Sequence, residues 1–130
     1  VHGSYQKDDF EARIRIFGVA EGGRRSPAFN GIRWDFAYVE GQRPPGTMHM
    51  IWTDFLDDSG NSRSDERPLP VGEELSARMT IIVDEMRDQV HRARIAPGVR
   101  FYCHEGGNRV AEGVVTRVTG LFEPRPAPGD

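Results

Sequence analysis

"FEARIRIF", residues 10 to 17, places Ala12, Ile14 and Ile16 at every second position with Glu11, Arg13 and Arg15 between them. A period of two belongs to a β-strand that buries one face and wets the other. The same period recurs down the chain. "RWDFAYVE" sets Trp34, Phe36 and Tyr38 on one side, and "TMHMIWTDF" alternates Met48, Met50 and Trp52 with His49, Ile51 and Thr53. "ELSARMTIIV" aligns Leu75, Ala77, Met79, Ile81 and Val83, while "GVRFYCHE" sets Val99, Phe101 and Cys103 against Arg100, Tyr102 and His104. "RVAEGVVTRV" ends the series, and its internal Gly113 predicts a bulge or a close backbone approach. Six strands account for the chain, with Ile14, Phe36, Met79, Ile81, Phe101 and Val115 expected in the core.

Between the strands stand "EGGRRSPAFNG", "GQRPPG", "DDSGNSRSDERPLPVGEE" and "EGGN", all rich in turn formers. Short strands separated in this way, without a helical period of useful length, predict a sandwich or a closed antiparallel barrel, and closure removes exposed strand edges. The connection from Asp54 to Glu74 carries seven acidic residues against Arg63 and Arg67 and reads as a solvated, mobile loop. "MRDQVHRARIAPG" fits either a helical turn or a charged strand extension. The Pro-rich "EPRPAPGD" reads as a disordered tail. No internal repeat is present.

With 130 residues, the chain holds one domain and one core. Its 17 basic and 20 acidic residues give a formal net charge of -3, so any nucleic-acid contact must be local. Cys103 is the single cysteine and has no partner for an internal disulfide. No apolar run approaches the roughly 20 residues of a membrane helix, and "VHGSYQKDDFEA" lacks the apolar core of a secretory signal. A soluble, cytoplasmic protein without membrane association is the expectation.

Chemistry-bearing residues are sparse. His49, His91 and His104 are widely spaced and no Cys/His spacing supports zinc, so no metal and no cofactor is expected. Cys103 reads as a small core residue, and the pairs Asp57–Asp58 and Glu73–Glu74 fall in flexible contexts unsuited to acid–base catalysis. Trp34 and Trp52 read as core or barrel-rim residues. Arg24 and Arg25 read either as salt-bridged surface charges or as partner contacts, and the two Gly-Gly pairs as turn chemistry or as loops that let a ligand approach the backbone.

Taken in order, Phe10, then Glu21, Gly22, Gly23, Arg24, Ser26 and Pro27, then Gly31, Arg33 and Phe36 form one set of motifs. Val71, Gly72 and Glu73 continue it, followed by Gly98, Arg100, Phe101, Glu105, Gly106, Gly107, Gly113, Val114 and Val115. This series, over residues 9 to 119, resembles the third, C-terminal domain of bacterial elongation factor Tu. The resemblance implies an all-β fold, a six-stranded antiparallel closed barrel over residues 9–120, with an extension at 1–8 and a Pro-rich tail at 121–130. In that family the two Glu-Gly-Gly loops belong to surfaces that meet tRNA, the GTPase domain and the nucleotide-exchange factor. Gly22, Gly23, Arg24, Arg25, Arg33, Gly106, Gly107 and Arg109 are therefore the candidate binding residues, able to offer backbone donors and arginine forks to a partner.

Departures from the family narrow the functions that the resemblance implies. No Gly-x-x-x-x-Gly-Lys-Ser/Thr phosphate loop occurs, so GTP hydrolysis is not expected. "VDEMRDQVHRARIAPG" replaces a shorter segment, and Asn108 stands where an arginine is usual, leaving Arg109 one place later. The expectation is a non-catalytic, translation-associated binding module that contacts tRNA or a translation-factor protein. The alternative is a protein-interaction module, such as a domain mimic or an immunity-like protein that neutralises a toxin.

Overall fold

A computed structural model describes residues 7–41 and 46–125. Six strands are present: β1 (Phe10–Ile16), β2 (Asp35–Tyr38), β3 (His49–Leu56), β4 (Glu74–Ile81), β5 (Arg100–Glu105) and β6 (Asn108–Val118). All pairings are antiparallel, and the order β1-β4-β3-β2-β5-β6 closes where β6 returns to β1. The expected all-β closed barrel is therefore the fold, and closure leaves each of the six strands two partners. Residues 1–6 of the expected extension, most of the "GQRPPG" turn and residues 126–130 of the Pro-rich tail lie outside the described residues.

Strand pairing sets the phase that alternation left open in β3. Residues directly opposite one another share a face of the sheet. Thr53 stands opposite Met79 and Phe55 opposite Ala77, so His49, Ile51, Thr53 and Phe55 point inward. Met50 faces out and is 56% exposed. The six anticipated core residues are each at most 1% exposed. At their centre the Phe36 ring stacks on Phe101 at 4.5 Å and receives Phe10 and Tyr38 edge-on at 6.2 and 4.9 Å. Cys103 lies in the same core, and burial pushes its thiol up to about 12.

Gly113 marks a close approach and not a bulge. It faces Ile14 on one neighbour and Phe101 on the other, and a Cβ there would stand 2.3 Å from Phe101 Cζ. The bulges of β6 fall at Thr116 and Val110, the residues skipped where its register shifts against β1 and β5.

The ambiguous stretch at residues 86–98 is helical in its first part. Helix α1 (Asp84–Gln89) is followed by a single 3-10 turn at His91–Ala93. Asp84 and Glu85 suit the first turn and Arg87 the last, as the helix dipole favours. Tertiary contact holds it more firmly. Arg87 is 4% exposed and donates to Asp9 Oδ1 at 3.0 Å and to the carbonyls of Gly120, Leu121 and Glu123. Asp9 also accepts the Ile81 N–H at 2.7 Å and pairs with Arg125. Leu121, the first residue of the expected tail, is fully buried.

The acidic connection is tied down where the sequence suggested mobility. Asp54 belongs to β3, and Asn30 Nδ2 donates to its carboxylate and to the carbonyls of Phe55 and Arg63. Asp57 Oδ1 accepts the N–H groups of Ser59 and Asn61, while Leu69 is 4% exposed. Side-chain acceptors thus replace water for the turn backbone, and one leucine anchors the loop to the core.

Candidate functional site

"EGGRRSPAFNG" leaves β1 through a short 3-10 turn, Val19–Glu21. Arg15 is the post against which that turn folds. Its guanidinium grips Glu21 through two contacts of 2.9 Å and reaches Glu112 on β6. Glu21 also accepts the Gly18 N–H at 3.2 Å, and these bonds hold its carboxyl below the usual range. The next two glycines answer different demands. Gly22 has φ 86°, a left-handed backbone that a side chain would strain. Gly23 lies so close to the preceding turn that a Cβ would stand 2.2 Å from the Phe17 carbonyl oxygen.

The second turn joins β5 to β6 through Gly106 and Gly107, with φ 59° at Gly106. Its leading residue, Glu105, reaches toward the first loop. Glu105 Oε2 accepts the Trp34 indole N–H at 3.0 Å and lies 3.3 Å from Arg24 Nε. Trp34 is 6% exposed and meets Phe55 edge-on at 6.4 Å, so one carboxylate links a core indole to both Gly-Gly turns. In each Glu-Gly-Gly turn the glutamate therefore serves as an internal tie to an arginine.

The eight candidate residues have unequal surroundings. Arg24 is engaged by Glu105 and donates to Ser26 Oγ at 3.1 Å. Arg25 and Arg33 are exposed, and neither forms an ion pair among the described residues. Arg109 lies over the Tyr102 ring at 4.1 Å, a cation–π arrangement. Gly22, Gly106 and Gly107 are exposed, whereas Gly23 is half-buried. Beside them, Val19 and Val71 are 61% and 53% exposed, and Val71 Cγ1 would touch a Cβ placed on Gly18.

Sequence reasoning missed a second polar cluster, where β2 and β3 meet the helical segment. His49 and His91, 42 positions apart in the sequence, place their rings edge-to-face at 4.7 Å. Tyr38 Oη and His91 Nδ1 share a hydrogen bond of 2.6 Å, and the Arg94 guanidinium covers the Tyr38 ring at 3.9 Å. Burial, then His49, then Arg94 lower His91 to about 4. Burial and Arg94 also lower His49, while burial raises Tyr38. Two of the three widely spaced histidines, His49 and His91, thus form a pair, while His104 lies edge-on to Tyr102. A helical reading of residues 86–98 would have set Arg87 and His91, four apart, on one face.

No family model matches the chain. No helix among the described residues is long and apolar enough to cross a membrane.

Proposed function

We propose that this chain is a non-catalytic binding module of the elongation factor Tu third-domain type, working through the face where its two Glu-Gly-Gly turns meet. The observation that carries this reading is the convergence of Arg24, Glu105 and Trp34, which fixes two glycine-rich turns side by side on a closed barrel. Turns held on a rigid barrel present a preorganised surface, so little ordering opposes association.

A protein, such as a translation factor, is the partner these residues suit better. Arg15 and Arg24 are already engaged by carboxylates, Val19 and Val71 expose apolar area near the start of the first loop, and Arg25 and Arg33 are exposed. Apolar contacts with arginine around them are common in protein interfaces. A toxin held by an immunity protein would belong to the same partner class. The second reading, tRNA contact, is favoured by Arg109 over Tyr102, because arginine and aromatic faces also stack on unpaired bases.

Affinity capture with the full chain, scored for both RNA and protein, tests the assignment. Three phosphate contacts through Arg25, Arg33 and Arg109 would make log affinity fall with log salt at a slope of about -2 to -3. The protein reading expects a much shallower dependence. Arg24→Ala with Arg25→Ala should weaken the captured interaction while costing the fold no more than about 1 kcal/mol, the upper end for ion pairs that keep contact with solvent. Unchanged affinity with a clear loss of stability would reduce the loop to a structural connection. The non-catalytic assignment also expects no phosphate release from GTP by a preparation free of contaminating GTPases.

A further inference from the structure

We propose that residues His91–Ile95 form an acid-triggered lid over the Tyr38 and His49 side of the barrel, hinged at α1. The segment is held to the barrel in two different ways. Its helical root is anchored by Arg87, through Asp9 and three backbone carbonyls, without an imidazole in the contact. The lid itself is held by the His91–Tyr38 hydrogen bond, by Arg92 donating to the Leu121 carbonyl at 2.9 Å, by Arg94 donating to the Glu40 and Gly41 carbonyls, and by Ile95, 4% exposed in the core.

Burial, His49 and Arg94 oppose a proton on His91. Tyr38 and Phe36 come from β2, His49 from β3 and Arg94 from the lid itself. Neither His49 nor His91 has a carboxylate partner among the described residues. His91 is fully buried, and its Nε2 has no hydrogen-bond partner among the described residues. With both ring nitrogens protonated, His91 holds an unpaired buried N–H at Nε2 and a cation beside Arg94. Lifting the segment into water removes both penalties, while the Arg87 anchor keeps it attached.

The direction with pH is set by proton linkage. His91 titrates near 4 when closed and near its ordinary 6.5 when open, so the open form binds more protons between those values. Closure is thus fully favoured above about pH 6.5 and is lost as pH falls toward 4. From pH 7 to pH 5 the lid's opening constant should rise about 20-fold through His91 alone. His49, also lowered, acts in the same direction.

Hydrogen exchange on the full chain at pH 7 and pH 5, corrected for intrinsic rates, tests this directly. Opening exposes the lone His91–Ala93 turn to water, where a single turn does not hold, so the amides of Arg94 and Ile95, which bond the His91 carbonyl within it, should lose about 20-fold of their protection. Those of β1 should not. Equal loss in both would indicate global acid unfolding and overturn the proposal, as would no loss in either. His91→Gln should cut the pH dependence of the lid amides to the smaller part that His49 contributes, and an undiminished dependence would also overturn the proposal. Should that variant fail to fold, titration of the unaltered His91 ring by NMR decides. A value below 5 supports the lid, whereas one near 6.5 overturns it.

Discussion

Replacing Asp9 with Ala is expected to cost the fold about 3 to 5 kcal/mol, the penalty for stranding a buried charge without its partner. The Asp9 side chain is 1% exposed and stands between Arg87 at 5% and Arg125 at 9%. Its removal leaves two nearly buried guanidinium groups without their shared carboxylate and takes the acceptor from the Ile81 N–H. Urea unfolding followed by tryptophan fluorescence measures the loss. Asp9→Asn retains the shape and removes the charge, and should cost roughly half as much, in the range of charge-assisted hydrogen bonds. Combining Asp9→Ala with Arg87→Met should recover part of the loss, because the variants remove two ends of one contact. A loss below about 1 kcal/mol for Asp9→Ala would mean that water compensates the cluster and that packing alone holds α1 on the barrel.

Truncating Phe101 to Ala should also cost about 3 to 5 kcal/mol, and its outcome is coupled to Gly113. The Phe101 ring stacks on Phe36 and reaches the space that a Cβ on Gly113 would occupy. Gly113→Ala by itself should therefore destabilise by about 1 to 3 kcal/mol through overpacking. In the Phe101→Ala background the added methyl enters the vacated space, and the same change should become nearly neutral. Additive losses in that double-variant cycle would show that the backbone of β6 relaxes away from the ring. Both single variants should keep the β-sheet circular dichroism signal in the folded baseline.

Alternation of residue type carried the architecture. Ala12, Ile14 and Ile16 between charged neighbours, and the same pattern around Phe36, Met79 and Phe101, are enough to define strands with one buried face, because side-chain direction in a strand is local. Turn chemistry is equally local. The left-handed backbone at Gly22 and Gly106 explains glycine at both positions without reference to any distant residue. The phase of β3 was not readable in this way. "TMHMIWTDF" has apolar residues in both phases, and only the Thr53–Met79 and Phe55–Ala77 pairings select the inward one.

What the sequence alone determined, then, is the set of strands, most of the core and the glycine-rich turns, all of which depend on short-range periodicity and backbone preference. Closure order, the approach of Phe101 to Gly113, the Arg24–Glu105–Trp34 tie, the Asp9 anchor and the His49–His91 pair were decided by tertiary structure. Each joins residues separated by at least a dozen positions. Such contacts carry no periodic signature, since a charge or an imidazole reads as a surface residue until the fold brings its partner into reach and removes water from both.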